Sequence, residues 1–157
     1  FGPLISAGQR ERVRGYVDAG KRQGGELVCG SDAPARPGCF FEPTVFARMR
    51  ADMTPVKSEI FGPVLCVQSF DDADLDRVAA EANSTIYGLS GSVWTRDIGL
   101  AMQMVRRIDA GQVSVNMHAA LDPAMPFGGN KQSGWGREFG KEGLEPYLKT
   151  KGVSVAW

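Results

Sequence analysis

Residues 89–116 read LSGSVWTRDIGLAMQMVRRIDAGQVSVN, and this stretch predicts a strand, a helix and a second strand. The first strand covers residues 89–95, and Asp97 follows it as a typical N-cap. The apolar stripe of the predicted helix consists of Ile98, Ala101, Met102, Val105 and Ile108. Gly111 stops the helix, and residues 112–116 form the next strand. Short connections of this kind favour two parallel strands joined by a crossover helix.

The same alternation extends upstream. Residues 64–70, VLCVQSF, form a nearly continuous apolar run of strand length, which is typical of a strand covered on both faces. Asp71 or Asp72 is the predicted cap of the next helix. Its apolar positions are Leu75, Val78, Ala79 and Ala82. The pattern therefore predicts an α/β fold with a parallel sheet and flanking helices.

The N-terminal segment predicts a capped helix and a short strand. Ser6 and Gln9 fit a capping box, in which Ser6 accepts from the first amides and Gln9 reaches back. Val13, Tyr16 and Val17 share one face of this helix, and Gly24 ends it. The segments that follow are predicted to be a strand at residues 26–29, a loop at 31–38 and extended chain at 40–46.

The C-terminal part has a different character. Residues 117–143 are rich in Gly, Pro and polar side chains, so they predict one long loop. Loops of that length in compact domains are usually functional or disordered. Residues 144–148 predict a helical turn. Residues 149–157 alternate apolar and polar side chains, as a terminal strand does.

The composition excludes several classes of function. The 157 residues suit one domain, and 18 basic residues cancel 18 acidic ones, so no net field would attract nucleic acid or an anionic membrane. No apolar run approaches the ~18 residues that span a bilayer, and no leader is visible. Three cysteines, Cys29, Cys39 and Cys66, have no metal-like spacing. We expect reduced thiols, a cytoplasmic protein and no metal site.

Two motifs stand out, EIFGPV at residues 59–64 and MPFGGNKQSGWGREFGKEG at residues 125–143. The glycines at 134, 136 and 140 are spaced one residue too widely for a dinucleotide-binding turn and do not follow a strand, so they favour a tight loop. Taken alone, Glu59 would be a solvated carboxylate and Phe127 a core aromatic. His118, the only histidine, has no serine or carboxylate at triad spacing and no second metal ligand.

A series of short motifs in one order resembles the C-terminal third of an NAD(P)-dependent aldehyde dehydrogenase. The series consists of GPLI at 2–5, PTVF at 43–46, EIFGPV at 59–64, NSTIYGL at 83–89, VWT at 93–95, AGQVSVN at 110–116 and PFGGNKQSGWGREFG at 126–140. Residues 116–127, NMHAALDPAMPF, resemble the phenylacetaldehyde dehydrogenase branch. The resemblance implies that residues 1–148 belong to the catalytic domain and that residues 149–157 are an oligomerisation strand, in a homodimer or homotetramer.

The resemblance also assigns roles to single residues. Glu59 would accept hydrogen bonds from both hydroxyls of the nicotinamide ribose of NAD, with NADP not excluded, and Phe61 would pack near the nicotinamide. His118, Leu121 and Phe127 would line the pocket for a small-molecule aldehyde. Glu138 would relay protons between the general base and solvent, and its neighbour Arg137 would lie near the subunit interface.

The implied reaction is attack of a cysteine thiolate on the aldehyde, hydride transfer to NAD(P)+ and hydrolysis of the thioester. In the family the nucleophile, the general base and the nucleotide-binding turn precede segments like these, and Cys29, Cys39 and Cys66 lack an activating setting. We therefore predict part of an oxidoreductase that is inactive by itself. The alternative is an inactive fragment that acts only in assembly. The apolar stretch from Met117 to Phe127 favours an apolar or aromatic aldehyde over a carboxylate-bearing semialdehyde.

Overall fold

The first helix, α1 (Ala7–Arg22), begins at the predicted cap. The computed structural model describes residues 1–71, 74–118 and 121–157, and in it Ser6 Oγ accepts a hydrogen bond from the Gln9 amide at 3.1 Å. The second half of the predicted capping box is wrong. The Gln9 side chain donates instead to the carbonyl oxygens of Ile60 and Phe61 at 2.9 and 3.0 Å, because a long carboxamide can reach beyond its own helix.

The chain divides into two units, Phe1–Asp74 and Leu75–Trp157, and each is described by itself. In the first unit α1 is followed by β1 (Glu26–Cys29), β2 (Thr44–Ala47), α2 (Thr54–Lys57) and β3 (Val64–Cys66). The strand order is β1-β2-β3, with β1 antiparallel and β3 parallel to β2. The core of this unit consists of Val13, Val17, Phe41, Phe46, Met49, Met53 and Ile60.

Strand β3 differs from its prediction. It is three residues long instead of the predicted seven, and Leu65 is 58% exposed, so the strand is not covered on both faces. Within the described residues β3 pairs only with β2 and lies at the edge of the three-stranded sheet. An unbroken apolar run therefore did not mean burial on both faces, because the run does not report which parts of the chain cover those faces.

The second unit contains the strand–helix–strand prediction. Its elements are α3 (Leu75–Ala82), β4 (Tyr87–Gly88), β5 (Ser90–Val93), α4 (Ile98–Arg107), β6 (Gln112–Val115), β7 (Asn130–Lys131) and a 3₁₀ turn (Glu145–Tyr147). Strands β5 and β6 are parallel, from Ser90 opposite Gln112 to Val93 opposite Val115. This confirms the predicted α/β character. The antiparallel pairs β1–β2 and β4–β7 are additions that the periodicity did not indicate.

In helix α4 the predicted N-cap is confirmed, whereas the predicted buried face is only partly correct. Asp97 Oδ1 accepts from the amides of Gly99 and Leu100 at 2.7 and 3.1 Å. The side chains that are buried are Ala101 and Met104, whereas two members of the predicted stripe, Ile98 and Met102, are exposed. The stripe is rotated because Met104, which the prediction left out, packs inward. For α3, one of the two alternative caps, Asp72, lies outside the described residues.

The segment that follows β6 is not one structureless loop. It contains β7, and the backbones of Phe127 and Glu138 form an antiparallel bridge. The predicted turn near residue 145 is confirmed. Residues 149–157 are exposed throughout and form no strand within the described chain, so the predicted terminal strand has no partner there. No helix in the described residues is long and apolar enough to cross a membrane.

Candidate functional site

Residues 58–62 present Glu59 and Phe61 to solvent on either side of a buried anchor. Ile60 is 8% exposed and belongs to the core of the first unit, whereas Phe61 is 73% exposed and Glu59 is exposed. Among residues 1–71, 74–118 and 121–157, no hydrogen bond or ion pair engages the Glu59 carboxylate. The segment therefore offers a free acceptor and an uncovered aromatic ring two positions apart.

Phe61 has an unusual backbone conformation. Its φ is +53°, in the left-handed region that side chains other than glycine seldom adopt. The two carbonyl groups that flank its Cα both accept hydrogen bonds from the Gln9 side chain. These bonds offset the cost of the left-handed conformation, since each is worth about 1 kcal/mol.

Two further side chains of α1 contact the same segment. Val13 packs so closely on Gly62 that a Cβ at Gly62 would overlap Val13 Cγ2. Hydrogen bonds from Arg12 and then from Ser58 lower the pKa of the Tyr16 phenol. Positions 9, 13 and 16 share one helix face. That face of α1 supports the whole segment that carries Glu59 and Phe61.

The residues of this segment fit the nicotinamide-ribose end of NAD. A carboxylate has two oxygens for a vicinal diol, and a hydrogen bond to a charged acceptor is about twice as strong as a neutral one. An exposed phenyl ring next to it supplies an apolar surface for a planar heterocycle. No group of three His, Cys, Asp or Glu side chains that could hold a metal occurs in the part of the chain that the structure describes.

In the second unit, Asn116 joins the carboxyl ends of β5 and β6. Its Oδ1 accepts from the Thr95 amide and its Nδ2 donates to the Thr95 carbonyl, both at 2.9 Å. The Asn116 amide in turn donates to Val93 O at 2.8 Å. The carboxyl ends of parallel strands are where ligands bind in open α/β sheets. Asn116 therefore holds the start of the predicted pocket loop at this edge.

His118 has a partner that the sequence spacing did not reveal. Its Nδ1 lies 2.9 Å from the Ser92 Oγ, although the two residues are 26 positions apart. Parallel pairing of β5 and β6 brings them together, with Ser92 opposite Ser114. Spacing along the sequence could not indicate this partner, because the two residues meet only when the strands pair. Within the described residues no carboxylate bonds to His118, so the pair lacks the third member of a catalytic triad.

Phe127 and Glu138, predicted as pocket wall and proton relay, lie next to each other. Each backbone amide donates to the carbonyl of the other, at 2.8 and 2.7 Å. Phe127 is half-buried, Glu138 is exposed, and Leu121 is 54% exposed. An open groove of about 370 Å³ includes Leu89, Phe127, Ser133, Trp135, Arg137 and Glu138 in its lining. The structure thus brings two of the predicted site residues into one groove.

Arg137 stabilises the same loop from within. Its guanidinium donates to the carbonyls of Gly129 and Gly136 at 2.7 and 2.9 Å and to Asn130 Oδ1 at 2.8 Å. Gly134 has a φ of +118°, which confirms that a glycine of this motif serves a tight turn. The signal for Arg137 was present in the sequence, since an arginine among glycines is surrounded by uncovered carbonyls.

The chain belongs to the aldehyde dehydrogenase family, whose model matches residues 1–153. The motifs at residues 59–64 and 126–140, which carried the resemblance, therefore identified the family correctly. Glu59 and Phe61 lie in the first unit, and His118, Leu121, Phe127 and Glu138 lie in the second.

Similar proteins cover nearly all of the chain. It is 44% identical to betaine aldehyde dehydrogenase of Agrobacterium fabrum over 99% of this chain and 32% of that protein. It is 41% identical to cytosolic 10-formyltetrahydrofolate dehydrogenase of Xenopus laevis over 99% of this chain and 17% of that protein. The NAD-dependent aldehyde dehydrogenase of Sinorhizobium meliloti has a similar structure, with a TM-score of 0.91, 40% identity, and coverage of 99% and 31% of the two chains. The chain thus spans about a third or less of these relatives.

Proposed function

We propose that the chain contributes the nicotinamide-ribose clamp and part of the aldehyde pocket to an enzyme that oxidises aldehydes with NAD+. The observation that carries the proposal is the free, exposed Glu59 carboxylate two positions from the exposed Phe61 ring. Membership of the family supports it, as does a relative from Bacillus cereus, 40% identical, whose aldehyde dehydrogenase structure is a complex with NAD+.

Each predicted site residue has a definite part in this proposal. Bound NAD+ would supply the hydride acceptor. Glu59 would accept hydrogen bonds from the ribose diol, and Phe61 would exclude water from one side of the nicotinamide ring. Phe127, His118 and Leu121 would surround the aldehyde. Glu138, exposed in the groove, would exchange protons with solvent, whereas the nucleophile would come from segments that lie N-terminal in the family.

Replacement of Glu59 by glutamine tests the clamp. In the full-length protein we expect Glu59→Gln to weaken NAD+ binding and to slow turnover, by roughly tenfold, because the amide replaces one acceptor oxygen with a donor. Steady-state kinetics with varied NAD+ and a primary deuterium isotope effect from labelled aldehyde measure the change. Glu42, another exposed carboxylate of the first unit, provides a control as Glu42→Gln. Unaltered cofactor and hydride-transfer parameters would remove Glu59 from the site.

The proposed substrate is an arylacetaldehyde or another apolar aldehyde. Support comes from the stretch between Met117 and Phe127, which contains no Arg or Lys, with Leu121 and Met125 exposed. A buried carboxylate without a cationic partner would be costly there. Two of the similar proteins are named for betaine aldehyde and 10-formyltetrahydrofolate, which are not arylacetaldehydes, so substrate choice is a separate question from membership of the family.

We expect the full-length enzyme to have a higher kcat/KM for phenylacetaldehyde than for succinate semialdehyde, by at least about tenfold. Burial of one unpaired charge costs several kcal/mol, and about 1.4 kcal/mol corresponds to a factor of ten. Betaine aldehyde, which is a cation, is the third substrate in the comparison of kcat/KM. Aromatic and acidic side chains in a pocket favour a cationic substrate. A preference for the semialdehyde would show that a cationic anchor outside this chain dominates.

Self-association through residues 149–157 is the second candidate function. This proposal does not depend on whether the chain is catalytically active. Val153 and Val155 are 77% and 70% exposed, and Trp157 is fully exposed. An alternating segment with unpaired amides recruits another strand unless something covers it. Truncation after Leu148 is expected to lower the mass measured by analytical ultracentrifugation to that of a smaller assembly. The double variant Val153→Thr and Val155→Thr is a milder test of the same segment. If all three proteins form assemblies with the same number of subunits, residues 149–157 are not the interface.

The proposed location is the cytoplasm. All three cysteines are free, as reducing conditions would keep them. The names of relatives point to more than one compartment, since the protein from Xenopus laevis is cytosolic and an aldehyde dehydrogenase of Leishmania tarentolae, 43% identical, is mitochondrial.

A further inference from the structure

We infer that Gln9 is a positioning residue for the ribose clamp. Its side-chain amide holds the carbonyls of Ile60 and Phe61 and so sets the backbone from which Glu59 and Phe61 would meet NAD+. This inference rests on the function proposed above. It adds a residue of α1 whose side-chain hydrogen bonds go to the main chain of the clamp segment.

The geometry assigns this role because of where the two acceptors lie. The carbonyl of Ile60 belongs to the peptide plane before the Phe61 Cα, and the carbonyl of Phe61 belongs to the plane after it. One NH₂ group binds both oxygens, at 2.9 and 3.0 Å, and thereby restrains φ and ψ of Phe61 together. The restrained φ of +53° is one that phenylalanine leaves readily when nothing holds it.

The other contacts of α1 with this segment cannot replace Gln9. Val13 packs against Gly62 at one end of the segment, and Tyr16 lies close to Ser58 at the other. Neither contact restrains rotation about the bonds of the Phe61 Cα. Without the Gln9 amide, these two hydrogen bonds no longer hold Phe61 at positive φ, and a return to negative φ would turn its ring.

The chain provides a matched control at the other end of α1. The Gln23 side chain also makes two hydrogen bonds to distant chain, since its Oε1 accepts from the Thr54 amide at 2.8 Å and its Nε2 donates to Thr54 Oγ1 at 2.9 Å. These bonds join α1 to α2 and not to residues 58–62. Replacement of Gln23 by methionine therefore removes a similar pair of bonds from the C-terminal end of α1 without releasing Phe61.

The test compares Gln9→Glu and Gln9→Met with Gln23→Glu and Gln23→Met in the full-length protein. Glutamate keeps the shape of glutamine but has no amide donors, and methionine is an apolar replacement in case a carboxylate facing two carbonyls prevents folding. The first measurement is the rate of chymotrypsin cleavage after Phe61 without any cofactor. The second is the Kd for NAD+ by calorimetry, together with the KM values for NAD+ and aldehyde.

For Gln9→Met we expect cleavage after Phe61 to accelerate and the Kd and KM for NAD+ to rise, each by about tenfold, with the KM for aldehyde unaltered. Loss of two hydrogen bonds lowers the population of the competent conformer, and the apparent Kd rises in proportion. Equal cleavage rates and equal Kd values in the Gln9 and Gln23 variants would overturn the inference. If the unmodified protein does not bind NAD+, the proposed function fails, and the cleavage rates alone still decide whether Gln9 restrains Phe61.

Discussion

The purified 157-residue chain is expected to form no NADH from phenylacetaldehyde and NAD+. A thiol nucleophile must be ionised, and burial raises the pKa of the Cys66 thiol, so less of it is thiolate at neutral pH. Cys29 is exposed and Cys39 half-buried, and no ion pair in the described chain engages either. Catalytic groups act as a unit, and removal of one costs several orders of magnitude in rate.

Single Cys→Ala variants at the three positions are the control for this prediction. Absorbance of NADH at high protein concentration gives the upper limit on the rate. NADH formation that survives every cysteine substitution would show that the chain works by a mechanism without a cysteine nucleophile. Activity that disappears with one of them would identify that cysteine as the nucleophile and contradict the assignment of this role to a segment outside the chain.

Replacement of Gly111 by alanine is expected to lower the free energy of unfolding by about 3 kcal/mol or more. The Gly111 amide donates to Gly88 O at 3.0 Å, and a Cβ at this position would overlap the carbonyl oxygen of Gly128. The obstacle is main chain, so no side-chain rotation relieves it. Because Gly128 follows Phe127, the substitution would displace the groove that contains Glu138 as well as weaken the fold.

Gly15→Ala is the matched control for Gly111→Ala. Gly15 lies in the middle of α1, and no heavy atom lies within 4 Å of the place that a Cβ would take there. Alanine at this position is therefore expected to raise stability by about 0.5–1 kcal/mol. Urea denaturation of both variants measures the two changes, which have opposite signs. Equal stability of Gly111→Ala and the unsubstituted chain would mean that residues 127–129 move aside without cost.

Features that depend on neighbours within three or four residues were predictable from the sequence. Ser6 and Asp97 are caps because a short polar side chain before an apolar period binds the amides of the next turn, and both bonds are present. The pairing of β5 with β6 followed from the helix between them, since a strand that returns through a helix lies parallel to the first.

The faces and edges of these elements were less predictable. Periodicity placed Ile98 on the buried side of α4, whereas Met104 is buried there and Ile98 is exposed. The run at residues 64–70 predicted a covered strand and became a short edge strand. An apolar side chain fits either place, so the choice depends on which neighbours the rest of the chain supplies.

The sequence by itself determined the family, through motifs in a fixed order, and with it the candidates Glu59, Phe61 and Phe127. Tertiary structure decided how those side chains are held. Gln9 reaches carbonyls 51 and 52 positions away, and His118 meets a serine 26 positions upstream. Hydrogen bonds over such separations form only after the helices and strands have packed, because their energy is too small to define a geometry without the burial that brings the partners together.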